Sequence, residues 1–135
     1  MTPEELSAAG WKRHDSEGLM HSVGPLWTLR EGSSFAYGVL ADARHLNPAG
    51  VVHGGLFATL ADHALTAIVW QAVDRRACVT VALDVHFLVA ARPGDFIIAR
   101  GRIDGGGTSL FFASGELSVK DSRVATAHAV IRAAR

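Results

Sequence analysis

The clearest pattern in the chain is a change of hydrophobic period between its middle and its C-terminal part. From Gly54 to about Val73 there is no proline and the sequence is rich in Ala and Leu, which predicts one long helix. From Ala77 onward apolar residues recur at every second position, as is typical of strands. We expect four strands there, at residues 78–89, 96–103, 109–120 and 124–133.

The N-terminal part adds a short helix and two more strands. Thr2-Pro3-Glu4-Glu5 has the residues of a helix start, with Thr2 as the cap and Glu5 three residues later, so we expect a helix to about Ala9. Two apolar runs at 19–29 and 35–40 are separated by Glu31-Gly32-Ser33-Ser34, which has turn chemistry. These runs predict two strands, and residues 42–52 are expected to form an irregular loop.

This order of elements predicts a single α+β domain over residues 1–135, with an antiparallel sheet and one helix packed on it. Residues 1–18 are interpreted as the N-terminal helix and a linker. The long helix is apolar on almost every side, so we expect the sheet and a partner subunit to cover it. An apolar content of 49% and a mean hydropathy of +0.21 also favour a homo-oligomer.

Composition and spacing argue against several function classes. Lys plus Arg and Asp plus Glu both number 13 and no basic run occurs, which disfavours nucleic acid and membrane surfaces as partners. The acidic N-terminus does not have the form of a signal peptide, so we expect a cytoplasmic protein. Seven histidines without metal-ligand spacing, the single Cys78, and the lack of G-x-S-x-G argue against a metal site and a serine esterase.

Asp62 is the leading candidate for chemistry because it lies in the middle of the apolar helix. No lysine or arginine occurs between Arg44 and Arg75, and a buried carboxylate without a partner is costly. The alternative is that Asp62 merely reaches solvent or caps a backbone group. His63 would lie about 100° further round the helix, and we expect it to be a core or interface histidine instead of sharing the face of Asp62.

A second candidate feature is His53-Gly54-Gly55, at the start of the helix. Unpaired backbone N–H groups and the positive end of the helix dipole meet there, which suits a developing oxyanion. The alternative is a glycine pair needed only for tight packing. Gly54 and Asp62 are eight residues apart, or roughly 12 Å along a helix axis. If both serve one reaction, two chains related by a two-fold axis must share each site.

The segment Asn47-Pro48-Ala49-Gly50-Val51-Val52-His53-Gly54-Gly55, followed by Leu60-Ala61-Asp62, resembles the hotdog thioesterases of the phenylacetate-pathway (PaaI-like) and human thioesterase superfamily member two type. The similarity runs from about Leu26 to the C-terminus. It implies a hotdog fold, in which an antiparallel sheet wraps one long helix, and tetramers built from dimers. It also implies acyl-CoA hydrolysis without a metal or another cofactor, coenzyme A being part of the substrate.

The resemblance also implies roles for individual residues. The Gly54 amide would polarise the thioester carbonyl, with His53 and Asn47 shaping that side of the pocket. Asp62 of the facing subunit would act as nucleophile or as general base on water. Thr80 occupies the position of a Ser or Thr that holds the attacking water in similar enzymes, although it could be an ordinary strand residue.

The substrate contacts are expected at Gly55, Phe57 and Thr66. Four aromatic side chains could line an aromatic or an aliphatic acyl pocket, namely Phe57, Trp70, Phe87 and Phe112, and by resemblance an aryl-acetyl or medium-chain group is favoured. Four arginines could contact the coenzyme A phosphates, namely Arg92, Arg100, Arg102 and Arg132. Relative to close relatives, Ala82 replaces a common Asp and Asp84 a frequent Asn, which leaves substrate preference open.

Two other functions fit parts of the pattern. Asn47-Pro48 followed by a histidine is similar to the hydratase motif D-x-N-P-x-H, but four residues intervene before His53 and His45 stands where the catalytic Asp should be. The second alternative is a non-catalytic acyl-CoA binding module, which would not need the acid at position 62.

Overall fold

The computed structural model describes residues 1–135. The α-helices are α1 (Pro3–Ala8), α2 (Leu19–Val23) and α3 (Gly54–Ala72), and a 3₁₀ helix spans Ala43–His45. The strands are β1 (Lys12–His14), β2 (Leu26–Glu31), β3 (Ser34–Leu40), β4 (Cys78–Phe87), β5 (Phe96–Gly106), β6 (Leu110–Val119) and β7 (Ser122–Ala133). No helix combines the length and apolar character needed to cross a membrane.

All seven strands form one antiparallel sheet in the order β1-β2-β3-β5-β6-β7-β4. Helix α3 follows β3 and crosses the sheet to β4, which lies at the far edge beside β7. The predicted sheet with one long helix is therefore confirmed. Of the four strands after α3, only β5, β6 and β7 are joined as consecutive hairpins, because the connection between β4 and β5 spans the width of the two intervening strands.

Helix α1 begins as its sequence predicts. The N–H of Glu5 donates to Thr2 Oγ1 at 3.1 Å, and the N–H of Thr2 donates to Glu5 Oε2 at 2.8 Å. In this capping box each side chain therefore accepts the backbone N–H of the other residue. Leu6 packs into a small apolar cluster on the outer face of the sheet, the face turned away from α3, where Trp11 meets Phe96 edge to face at 4.8 Å. Helix α1 thus covers one end of that face.

The strand expected over residues 19–29 is only half correct. Residues 19–23 form α2, and β2 begins at Leu26. The dipeptide Gly24-Pro25 separates the two elements, because proline cannot continue a helix and glycine tolerates the turn between them. The continuous apolar run concealed this boundary, since short apolar segments look alike in helices and strands.

A glycine in β5 lets α3 approach the sheet closely. Gly101 of β5 is paired with Gly115 of β6. A Cβ atom at Gly101 would stand 2.6 Å from Cδ2 of Leu65 and 2.9 Å from the carbonyl oxygen of Ser114. The side chains of α3 therefore rest directly on the backbone of the two central strands.

One side of α3 remains uncovered by its own chain. The buried residues of the helix are Leu56, Phe57, Leu60, Ala61, Ala64, Leu65 and Val69. A stripe at the opposite side is only partly buried or exposed, and it consists of Thr59, Asp62, His63, Thr66 and Trp70. The sheet of one chain therefore leaves this stripe of the helix open.

The glycine contact predicts a stability effect. Gly101→Ala should lower the free energy of unfolding by about 1–3 kcal/mol, because the added methyl group forces α3 away from β5. Urea unfolding at neutral pH measures the change. Gly107→Ala is the matched control, since a Cβ there has no heavy atom within 4 Å, and equal stability of the two variants would contradict the proposed close contact.

Candidate active site

The start of α3 is built around His53. This residue is the N-cap, with φ −62° and ψ 136°, and its Nδ1 accepts the N–H of Gly55 at 2.7 Å. Because Nδ1 is an acceptor, the ring proton of the neutral form lies on Nε2, which points away from the cap. The backbone N–H of His53 donates to the carbonyl of His45 at 2.7 Å, which fixes the approach of the loop to the helix.

Gly54 carries the free amide of the first turn. The N–H of Gly55 is taken by the His53 ring and that of Leu56 by the His53 carbonyl, whereas no loop carbonyl or side chain accepts from Gly54. A first-turn amide also has no acceptor within its own helix. A Cβ at this position would come within 3.1 Å of the Phe87 ring, so glycine keeps the amide open beneath that ring.

Asn47 shapes the loop before the helix. Its Oδ1 accepts the N–H groups of Ala49 at 2.9 Å and Val51 at 3.3 Å, which closes the turn around Gly50. The N–H of Val52 then donates to the carbonyl of Ala91 at 2.8 Å and ties the loop to the segment after β4. The side-chain oxygen of Asn47 therefore stabilises the loop through hydrogen bonds to its backbone.

Asp62 is held by the hydroxyl of Thr80, which is itself hydrogen-bonded to Thr66. Thr80 Oγ1 of β4 donates to Asp62 Oδ1 at 2.5 Å, and Thr66 Oγ1 lies 3.3 Å from Thr80 Oγ1. Thr80 has a single proton and gives it to Asp62, so Thr66 must be the donor in the second contact. Asp62 is half-buried and makes no ion pair. Three predicted site residues from α3 and β4 thus form one hydrogen-bonded chain.

A cavity of about 590 Å³ opens beside this chain of hydroxyls. One wall comes from the open stripe of α3 and the start of β4, including Thr59 and Cys78, and the other from the N-terminal segment, including Glu17, Leu19 and Met20. We call it the Asp62 cavity. A second space of about 390 Å³ continues it along α3 past Ala67 to Trp70. Together they form a groove that leads away from the carboxylate.

The other predicted residues lie at the helix start instead. Gly55 is exposed there, and Phe57 is buried with its ring stacked on Phe87 at 6.1 Å between centroids. The structure therefore separates the candidates into two groups. Asp62, Thr66 and Thr80 line the Asp62 cavity, whereas the residues of the helix start are Asn47, His53, Gly54, Gly55 and Phe57.

The interpretation of His63 needs correction, because this residue lines the same cavity as Asp62. A rotation of about 100° still lies within the width of an open helix stripe. The ring also packs edge to face on Tyr37, with centroids 6.2 Å apart. Burial lowers the pKa of His63, and the nearby charge of Asp62 acts in the opposite direction.

Arg100, Arg102 and Phe112 lie on the face of the sheet turned away from α3, so the expectation that they line the groove needs correction. Residues alternate between faces along a strand, and Gly101 meets α3, so Arg100 and Arg102 lie on the outer face. Arg100 is also bound in a bidentate pair to Glu31 at 2.8 and 2.9 Å. Phe112 lies on that face too, next to the buried, inward Ala113, and cannot line the groove.

The other two arginines, Arg92 and Arg132, lie on different sides of the molecule. Arg132 neighbours the buried Ile131 and points to the outer face. Arg92 follows Ala91, whose carbonyl holds the loop at Val52, and it is exposed. Of the four arginines considered, Arg92 is therefore the one on the side of the helix start.

The wall formed by residues 16–20 was not predicted as part of a site. Its contact with α3 is long-range, so no local pattern could reveal it. The available signal was the pair of punctuation points Gly18 and Gly24-Pro25, which bracket a short segment and could have separated it from β2.

The sequence comparisons identify the family. Residues 49–126, more than half of the chain, match the profile described as the Thioesterase superfamily. The Pseudomonas aeruginosa protein PA0474, named as a candidate esterase, is 32% identical over 117 residues, covering 85% of this chain and 87% of that protein. The chain belongs to the thioesterase superfamily, and it is an enzyme of the thioesterase class.

Solved structures show the same fold. Zebrafish thioesterase superfamily member 2 superposes with a TM-score of 0.77 at 22% identity, covering 89% of each chain. The Escherichia coli PaaI protein, from the phenylacetic acid degradation operon, gives 0.70 at 18% identity over 99% of this chain and 86% of its own. A Bacillus halodurans protein determined with CoA gives 0.67 at 23% identity over 72% and 65%. These structures confirm the predicted hotdog fold, and the family match confirms the predicted resemblance to thioesterases.

The position of His63 predicts a pH effect on stability. Its pKa is lowered in the folded state, so acidification through the ordinary value of about 6.5 protonates the unfolded chain first and reduces stability. His63→Gln should show a smaller loss of unfolding free energy than the wild type between about pH 7.5 and about pH 5. Urea unfolding at both pH values checks this. The exposed His21→Gln is the control, and an unchanged pH dependence in His63→Gln would contradict the assignment.

Proposed function

We propose that the enzyme hydrolyses acyl-CoA thioesters and that Asp62 is its catalytic carboxylate. The observation that carries this proposal is the donor chain from Thr66 through Thr80 to Asp62 at the wall of a groove. The family supplies the thioester as substrate class. Coenzyme A as the thiol is supported by the Bacillus halodurans relative of the same fold that was determined with CoA.

The hydrogen bonds suggest how Asp62 would act. Thr66 donates to Thr80 and Thr80 donates to Asp62 Oδ1, which orients the carboxylate, while Oδ2 has no partner in the chain. This oxygen could attack the thioester carbonyl directly or remove a proton from water. Thr80 retains one lone pair after accepting from Thr66, so a water molecule could contact both Thr80 and Oδ2. In either route the attacking oxygen adds to the carbonyl, and collapse of the tetrahedral intermediate breaks the C–S bond and releases the CoA thiolate. If water attacks, the product is the free acid and the proton held by Oδ2 passes to the thiolate. If Oδ2 attacks, the product is a mixed anhydride of Asp62, which water then hydrolyses to the free acid.

The oxyanion of that intermediate requires a donor, and the unpaired amide of Gly54 is the best one available. Its position at the helix start adds the positive end of the dipole. His53 and Asn47 hold this amide in place through the cap and the loop. We propose that these groups suffice for the reaction without a metal or a redox cofactor.

The edge strand β4 suggests how two chains could bring these groups together. Thr80 binds Asp62 near one end of the strand, and Phe87 covers Gly54 at the other end. The edge between them is free to pair, and Val79 and Val81 on it are 62% and 53% exposed. If two copies pair their β4 edges antiparallel, with the axis midway between Thr80 and Phe87, the Asp62 of each copy lies near the Gly54 of the other.

The remaining contacts follow from this arrangement. The acyl group would occupy the groove beside Thr66 and Trp70, which has room for an aryl-acetyl or medium-chain group. Gly55, Phe57 and the exposed Arg92 would lie on the coenzyme A side. A tetramer built from two such dimers would also cover exposed apolar side chains outside β4, among them Phe112.

The acid assignment predicts that Asp62→Asn reduces thiol release from the best acyl-CoA substrate by about 100-fold or more. The amide keeps the size and the hydrogen bond from Thr80 but cannot serve as base or nucleophile. A thiol-release assay across aryl-acetyl and medium-chain acyl-CoAs measures the rate. Equal rates in wild type and variant would rule out Asp62, and CoA binding or enoyl-thioester hydration without thiol release would favour the alternative functions.

The shared site predicts complementation between two inactive variants. Gly54→Pro removes the amide at a position where proline fits a helix start, and the extended His53 already has the conformation that precedes proline. We expect kcat to fall roughly 100- to 1,000-fold. Gly54→Ala, which adds the same Cβ but keeps the N–H, should retain far more activity.

Equal mixing of Gly54→Pro and Asp62→Asn chains should then restore about a quarter of wild-type activity, because half of the dimers are mixed and each has one intact site. Co-expression with two affinity tags provides the mixed dimers. Mixed dimers as inactive as either parent would contradict a site shared between chains.

A further inference from the structure

His45 is a buried polar residue that the reaction does not use directly. The residue is 4% exposed, yet both ring nitrogens have a partner. Ring Nδ1 accepts the N–H of Asp42 at 3.0 Å, and Nε2 lies 2.6 Å from the carbonyl oxygen of Val23. Because a backbone N–H can only donate, Nδ1 carries no proton, and Nε2 must be the N–H that donates to Val23.

The bond to Val23 holds the end of α2. The last carbonyls of a helix have no partner within it. Here Arg44 donates to the carbonyls of Ser22 at 2.9 Å and Gly24 at 2.7 Å, and the ring N–H of His45 donates to the carbonyl of Val23 between them. The other end of the same segment, with Leu19 and Met20, is the wall of the Asp62 cavity.

The backbone of His45 reaches the helix start. Its carbonyl accepts the N–H of His53 at 2.7 Å, and His53 in turn caps α3 in front of the Gly54 amide. One residue is therefore hydrogen-bonded both to the segment that faces Asp62 and to the loop that presents the proposed oxyanion donor.

We propose that His45 is a positioning residue that fixes the α2 wall of the acyl groove and the Gly54 amide relative to each other. The inference rests on the proposed function. In the shared-site dimer these two elements of one chain belong to different sites, so each His45 supports the acyl wall of one site and the oxyanion donor of the other. A histidine suits this task because one rigid ring offers an acceptor and a donor in opposite directions.

Two substitutions separate the two ring contacts. Asn places its amide near the position of Nδ1, so His45→Asn can keep the bond to Asp42 and loses the bond to Val23. Gln reaches the position of Nε2, so His45→Gln can donate to Val23 and loses the bond to Asp42. Thermal unfolding of both variants shows whether each is folded at the assay temperature.

The expected result is a split between the kinetic constants for the preferred acyl-CoA. His45→Asn should raise KM about tenfold with kcat within about threefold of wild type, since the acyl wall is released while the loop stays in place. His45→Gln should keep KM near the wild-type value. Amide hydrogen exchange should be faster over residues 19–24 in His45→Asn than in His45→Gln.

Equal KM values in the two variants, or equal exchange over residues 19–24, would overturn the role of His45. Failure of the proposed function has a different signature, because Asp62→Asn would then hydrolyse the substrate as fast as wild type. If Asp62→Asn is inactive and the two His45 variants behave alike, only the positioning role is wrong.

Discussion

The contacts of α3 with the edge strand β4 determine what this molecule can do. The helix contacts β4 near both ends of the strand, through the hydrogen bond between Asp62 and Thr80 and through the Phe87 ring over Gly54. Between these contacts the helix is rigid, so the carboxylate and the free amide are kept roughly 12 Å apart. No side-chain rotation within one chain can close that distance, and this is why the proposed chemistry depends on how the β4 edges of two chains pair.

The close approach of α3 to the sheet also helps to place Asp62 beside Thr80. Gly101 lets Leu65 rest on the strand backbone, which brings the helix close to the sheet and leaves only one stripe of it uncovered. If the helix lay further from the sheet, the short side chain of Thr80 could not reach Asp62. The packing of the core and the position of the catalytic group therefore have a common cause.

Much of this arrangement could be predicted from the sequence, and the failures have physical reasons. Period and capping chemistry identified α1, α3 and the C-terminal strands, because these signals are local. The segment before β2 was misread because an apolar run has no period that separates helix from strand. His63 was placed away from Asp62 because an angle on a helix does not say where the neighbouring sheet ends.

Among the site residues, too, those with a local sequence signal could be predicted and those that depend on long-range contacts could not. Asp62 could be found from its place in an apolar helix without basic neighbours, and Gly54 from the chemistry of a helix start. Thr80 needed the family resemblance, since a threonine in a strand has no distinctive pattern. The wall at residues 16–20 and the bridging His45 depend on contacts between segments far apart in sequence, which no local signal encodes.

The choice of hydroxyl donors for Asp62, in place of a cation, is consistent with its proposed role. The same chain shows the alternative at Glu31, where the hydrogen-bonded Arg100 lowers the carboxyl pKa and both oxygens are occupied. A carboxylate paired in that way is a weak base and has no free oxygen for water or a carbonyl. Asp62 receives its hydrogen bond on one oxygen from a neutral donor, so it is oriented while its other oxygen stays available. A bidentate cation could orient Asp62 equally well, but it would occupy the open oxygen that the proposed thioester hydrolysis requires.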